Sequence, residues 1–266
     1  MNEITKKQVP FSVAIRSDAY KNMINGTLQD PKIAQKFVAD ITSVVANNPT
    51  LKNCDAGSII AGGLMAQSLQ LSLSQSLGYC YLVPYKDKAQ FLVGFKGLIQ
   101  LAQRTGQYRR LGVRVVHKGE YLGQDEFGDD TFKFSHDYDN EEVIGYYAYF
   151  ELLNGFRKTL YMTKEQCEKH ATKYSSSYKY KKGNSLWETD FDTMAQKTVL
   201  KQLLSKWGVM SIELQEAVKS DQAVIHDKDN LEYVDNEPEE QTSNVADTLD
   251  EISEEETEAM EKYING

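Results

Sequence analysis

Asn154-Gly155 restricts the fold of this chain more than any other dipeptide in it. Both residues tolerate a positive φ. A two-residue turn built from them matches the right-handed twist of the strands it joins. The flanking runs Val143–Leu153 and Phe156–Met162 are the strands of the predicted hairpin, so the chain contains antiparallel sheet.

Helix signals surround it. Asp30-Pro31 supplies an N-cap and a proline for the first helical position. Ile33, Phe37, Ile41 and Val44/Val45 then form one apolar face, and Asn47-Asn48-Pro49 closes the helix. A second helix is predicted from Ala56 to Leu77, stopping at Gly78. Tyr79–Pro84 and Gln90–Gly94 read as strands joined by the lysine-rich turn Tyr85–Ala89. A helix over Phe95–Arg104 stops at Gly106, with Leu98, Ile99 and Ala102 inward and Lys96, Gln100 and Gln103/Arg104 outward. Leu111–His117 is a further strand. Thr163-Lys-Glu-Gln166 is a capping box. A long helix runs from Asp190 to Lys206, with Phe191, Met194, Leu203 and Leu204 in the core, and Trp207-Gly208 ends it. The predicted fold is α+β, with helices packed around an antiparallel β-meander.

Charge divides the chain. Residues 221–266 hold sixteen acids and two bases, a net charge of −14. The whole chain carries −9, which leaves +5 on the first 220 residues. The expected organisation is a folded core over 1–220 and an acidic tail over 221–266, disordered to about Asp247. Within the tail, Leu249, Ile252, Met260, Tyr263 and Ile264 fall near helical spacing, which predicts a short amphipathic helix over 249–264 for docking on a partner. No run of 18 apolar residues is present and the first residues lack the apolar stretch of a signal peptide. The odd set Cys54, Cys80 and Cys167 fits reduced thiols. The expectation is a cytoplasmic protein with no membrane contact.

Three basic clusters oppose the global balance. Between Tyr79 and Lys118 lie Lys86, Lys88, Lys96, Arg104, Arg109, Arg110, Arg114 and Lys118, with Asp87 the only acid, interleaved with aromatics that include Tyr108. Lys169–Trp187 has no acid and carries Lys169, Lys173, Lys179, Lys181 and Lys182 among His170, Tyr174, Tyr178, Tyr180 and Trp187. Lys197 and Lys201 are one helical turn apart, with Lys206 beyond. Cations that follow a phosphate backbone, mixed with rings that stack on bases, suit a single-strand nucleic-acid groove. A solvated surface over core aromatics would give the same composition.

Enzymatic motifs are missing. There is no P-loop, no H-E-x-x-H and no zinc deaminase signature, and His117, His136, His170 and His226 form no evident triad. The carboxylates from Glu120 to Glu142 could place metals in a nuclease, or they could be a solvated hairpin or an acidic docking surface. No catalytic residue is assigned.

Two blocks stand out in this order of elements. One is Tyr81-Leu-Val-Pro-Tyr85, Gln90-Phe91, Gly94-Phe-Lys-Gly-Leu-Ile-Gln-Leu-Ala102 and Gly106. The other is Trp187, Phe191, Met194, Lys197-Thr198 and Lys201, ending near Ser211. Together they resemble the RecT family of phage and prophage single-strand annealing recombinases. His136 and the hairpin at Asn154-Gly155 sit where the family pattern expects them, and the match spans residues 10–220. The resemblance implies ATP-independent annealing of single-stranded DNA into duplex, and assembly into rings or helical filaments. It also implies a phage exonuclease and a host single-strand-binding protein as partners, reached through the tail. Lys96, Lys197 and Lys201 match its basic positions and inherit a DNA-binding role. No cofactor is expected, with magnesium entering only through DNA. A nuclease using residues 120–142 and a passive single-strand-binding protein are the alternatives.

Overall fold

A computed structural model describes residues 9–233, apart from Phe127, Asp129, 135–141, Lys182, Asn184 and 228–229. In chain order the elements are α1 (Phe11–Ala14), α2 (Asp18–Leu28), α3 (Pro31–Asn47), α4 (Ala56–Ser68), β1 (Cys80–Tyr85), β2 (Lys88–Val93), α5 (Phe95–Arg104), β3 (Tyr108–His117), β4 (Tyr121–Gln124) and β5 (Asp130–Phe132). They continue with β6 (Val143–Leu152), β7 (Arg157–Thr163), α6 (Lys164–Tyr174), α7 (Ser176–Lys179), α8 (Leu186–Thr189), α9 (Phe191–Trp207), α10 (Ile212–Ser220), β8 (Val224–Asp227) and β9 (Asn230–Glu232). The α+β expectation is met.

Local signals placed most elements. The Asp30 carboxylate accepts from the backbone N–H groups of Lys32 and Ile33 at the start of α3. Thr163 and Gln166 form the reciprocal capping box of α6, at 3.1 and 2.8 Å. The Asn154-Gly155 signal does mark the hairpin between β6 and β7, but the loop has three residues, Leu153, Asn154 and Gly155: the Leu152 N–H donates to the Phe156 carbonyl at 2.8 Å, and of the three only Gly155 is left-handed, at φ 90°. The order of the main sheet is β3-β6-β7, all antiparallel. Its inner face presents Tyr146, Ala148 and Phe150, each at most 2 % exposed. Helix α9 crosses that face and buries residues all around its circumference, including Val199, Leu200, Leu203 and Leu204. A helix that buries residues on every side belongs in the middle of a fold.

The β1–β2 hairpin forms a separate sheet, packed on α4. Helix α5 follows β2 at once, and two glycines let its first turn press on the backbone before β1. A Cβ on Gly94 would lie 2.3 Å from the Gly78 carbonyl oxygen, and one on Gly97 would lie 2.1 Å from that of Tyr79. Any side chain there would force the two segments apart.

Two expectations need correction. Helix α4 ends at Ser68, not Leu77. Gln70 adopts a left-handed φ of 52°, the Leu71 N–H donates to the Ala66 carbonyl, and the Gln70 N–H donates to that of Gln67. This is a Schellman ending with glutamine where glycine is usual. The second correction moves the boundary of the core. Asp221, Ala223, Val224 and Ile225 are all buried. The Phe91 N–H donates to the Ala223 carbonyl at 2.8 Å and the Gln222 N–H to the Phe91 carbonyl at 2.9 Å, so this segment extends the edge of β2. Strand β8 packs on α4 and pairs with β9. Residues 221–233 are therefore part of the folded core. The rest of the tail, with the predicted helix over 249–264, lies outside the described residues.

A chain cut after Ser220 should therefore be damaged where a chain cut after Tyr233 is not. The first cut strands buried Lys197 without its carboxylate, a loss of about 3–5 kcal/mol, and removes β8. In urea denaturation the shorter chain should unfold at a clearly lower midpoint. Equal midpoints would show that residues 221–233 do not belong to the core.

Candidate nucleic-acid interface

Two lysines of the third basic cluster converge on one carboxylate. Lys197 and Lys201 lie one turn apart on α9. Their ammonium groups donate to Asp221 at 2.6 and 2.9 Å, and the Val93 N–H donates to the same side chain at 3.0 Å. Burial pulls Lys197 down to about 8. Burial also opposes ionisation of Asp221, but Lys197 and Lys201 outweigh it and hold its carboxyl below the ordinary value. The group carries two positive charges and one negative.

Lys197 is thus not the surface cation that its spacing suggested. Its side chain is 4 % exposed, whereas that of Lys201 is 30 % exposed and reaches a cleft. The cleft has a volume of about 260 Å³. Helix α6 contributes His170 and Tyr174, α8 contributes Trp187, and α9 contributes Met194, Thr198, Lys201, Gln202 and Ser205. Asp221 and Gln222 complete the lining. The His170 ring stands 4.6 Å from Tyr174 and 6.2 Å from Trp187. Burial, reinforced by Lys201 and Lys173, lowers the His170 pKa to about 4, so its imidazole is neutral near pH 7. The second and third basic clusters, separate in sequence, therefore meet in one aromatic, singly positive cleft.

Several other predicted residues have structural work. Arg104 donates to the carbonyls of Leu69 and Gln70 at 2.7 and 2.8 Å, closing the end of α4. The Tyr108 hydroxyl donates to the Val209 carbonyl at 3.0 Å and its ring meets the edge of Phe150. The Tyr178 ring points inward toward Trp187 and Phe191. Lys88 pairs with Glu232 at 2.7 Å.

The remaining cations line the surface. Lys86 caps the turn of the β1–β2 hairpin, exposed and left-handed at φ 53°. Lys96 is exposed on α5, beside the turn at Gly78. Arg109 and Arg110 are exposed on β3, and Arg114 on the same strand lies 3.7 Å over the Phe134 ring. Lys169 pairs with Glu165 at 2.8 Å. Lys173 and Lys181 are exposed, and Lys206 stands 4.8 Å over Trp207. Lys182 and His136 lie outside the described residues. Asp221, which organises the site, was assigned to a linker because acids surround it in sequence.

The acidic stretch is partly structural too. Glu120 is 1 % exposed, and its carboxylate accepts the His117 N–H at 2.8 Å. Asp130 accepts from the Tyr121 hydroxyl at 3.1 Å. Among the described residues no group of three potential metal ligands is present, and no helix is long and apolar enough to cross a membrane.

The neutral His170 gives the cleft a pH signature. Its folded pKa of about 4 lies below the ordinary 6.5, so the unfolded chain binds the extra proton between those values. Its contribution to stability is complete above 6.5 and is lost as pH falls toward 4. The melting temperature should drop over that window, and His170→Phe should flatten the drop. An unchanged profile in the variant would place His170 in contact with solvent.

The family model for the RecT family matches residues 35–241. The chain is 39 % identical over 254 residues to the uncharacterized protein YqaK of Bacillus subtilis (strain 168), covering 89 % of this chain and 86 % of that one. It is 30 % identical over 218 residues to Protein RecT of Escherichia coli (strain K12), covering 78 % of each. The match takes in both basic clusters that meet at the cleft, and Asp221 with them. This chain belongs to the RecT family, the single-strand annealing proteins of DNA recombination.

Proposed function

We propose that the chain anneals complementary single strands of DNA without ATP and without covalent chemistry, working as an oligomer during phage-type homologous recombination. The carrying observation is the cleft between α6 and α9. It offers rings, a neutral imidazole and the partly exposed ammonium of Lys201, and it is bordered by Lys173. Lys96 on α5 and Lys206 on α9 are further exposed cations.

The mechanism is electrostatic and geometric. Ammonium groups neutralise the phosphates of a first strand and release its counterions. Rings hold bases by stacking, which tolerates any sequence. Edges left free test a second strand, and correct pairing gains about 1.4 kcal/mol per step. The DNA reads the sequence and the protein supplies the surface. Oligomers, as rings or filaments, lay many such surfaces in a row. The acidic tail is the part suited to recruiting an exonuclease or a single-strand-binding protein, and magnesium enters only with the DNA phosphates. A nuclease built on residues 120–142 is disfavoured by Glu120, whose carboxylate is buried against the backbone of His117.

Lys201→Ala tests the reading at the cleft. The variant keeps the Lys197–Asp221 pair, so it should fold. It should bind oligonucleotides of every sequence more weakly, with the salt slope flattened by roughly 0.7 for a single strand. Pairing of two labelled complementary oligonucleotides should proceed without ATP and slow in the variant. Cleavage of either strand in magnesium would favour the nuclease. Tight binding that blocks pairing would favour a passive coat.

A further inference from the structure

The outer face of the β3-β6-β7 sheet is divided. The β4–β5 hairpin and Phe134 cover one half. There Phe132 meets Tyr147 at 4.5 Å and Tyr161 at 5.3 Å, and Tyr121 stacks on Tyr161 at 5.1 Å with 18° between the rings. The other half carries two cross-strand rows, Gly112–Tyr149–Thr159 and, beyond it, Arg110–Glu151–Arg157.

The two halves share a construction. A Cβ on Gly145 would lie 2.5 Å from the Tyr161 ring, and one on Gly112 would lie 2.8 Å from the Tyr149 hydroxyl and 2.9–3.1 Å from its ring. Each tyrosine therefore lies across a neighbouring strand that has no side chain beneath it. Glycine inside a strand weakens it and marks a close approach. On the covered half, the seated Tyr161 carries a parallel ring, Tyr121. Tyr149 has the same seat, yet among the described residues its one ring neighbour is Tyr147, two positions along the same strand.

The charge around Tyr149 is positive. Arg157 is exposed and has no ion pair among the described residues. The Arg110 side chain is 75 % exposed and touches Glu151 only at 4.0 Å, and that of Arg109 is 57 % exposed, 3.2 Å from the same carboxylate. Three guanidinium groups face one acid. A flat ring flanked by arginines takes an unpaired base between phosphates, because every base has a π-face and guanidinium groups clamp phosphate oxygens.

We propose that this half of the sheet, uncovered among the described residues, is a second contact for single-stranded DNA, in which a base stacks on Tyr149 while neighbouring phosphates pair with Arg110 and Arg157. The proposal rests on the annealing reading above. It adds a surface separate from the cleft, since α9 packs on the opposite face of the sheet. The alternative is that Tyr149 only shields the glycine strand.

The test uses the full chain and a fluorescent oligo(dT) strand, with melting temperature measured in parallel. Tyr149→Ala should weaken binding about five- to a hundredfold, the range expected for one lost base stack, while Tyr149→Phe keeps it. Arg110→Ala combined with Arg157→Ala should flatten the salt slope by about 1.4. Wild-type affinity in Tyr149→Ala would overturn the proposal, as would a change in oligomer size alone, which would make the face a contact between copies. If Tyr149→Ala melts early, photocrosslinking of wild-type protein to 5-iodouracil-substituted oligonucleotide decides. A crosslink on Tyr149 supports the surface, and crosslinks confined to Tyr174 or Trp187 overturn it while leaving the annealing reading intact. Failure of wild-type protein to bind the strand at all would remove the annealing reading itself.

Discussion

The Asp221 carboxylate joins parts of the chain that nothing else local would bring together. It accepts from the end of β2 through Val93 and from two turns of α9 through Lys197 and Lys201. Its backbone leads directly into β8. A buried ionic network of this kind adds little net stability over apolar packing, because desolvation offsets most of the Coulomb attraction. Incomplete versions of it are costly, however, since each leaves a buried charge without a partner. The network therefore selects one arrangement of β2, α9 and β8 against partial ones. It also sets the charge of the cleft: the same carboxylate holds Lys197 inside and leaves Lys201 half in solvent.

What could be read from the sequence had a local cause. The cap at Asp30, the box at Thr163 and Gln166, the hairpin at Asn154-Gly155 and the span of α5 depend on neighbours within a few residues, and each is present, although the hairpin turns through three residues and not two. The end of α4 was missed because Gln70 takes a conformation normally given to glycine. Strand β8 was missed because acids dominate its surroundings, although Val224 and Ile225 are as buried as the core of α9.

The site was legible in outline and not in detail. Clustering of lysines and rings picked out two segments that the fold brings together at the cleft. Sequence spacing cannot tell a lysine row that faces water from one that faces a buried acid, and Lys197 falls in the second class. Arg104 and Tyr108 show the same ambiguity. Composition suits both for nucleic acid, but their polar atoms close a helix end and tether the loop after α9. The acid that decides the matter, Asp221, comes from far along the chain, and only the fold supplies it.

Counting residues 221–233 with the folded part alters more than a boundary. The formal charge falls from +5 over residues 1–220 to +2 over residues 1–233, while residues 234–266 carry −11. A folded body so close to neutral has little long-range field with which to draw in a polyanion. Its attraction is short-ranged, felt within about a Debye length of individual patches. The particle as a whole would migrate as an acid on an ion-exchange column, with its basic surfaces invisible to any measurement that averages over the molecule.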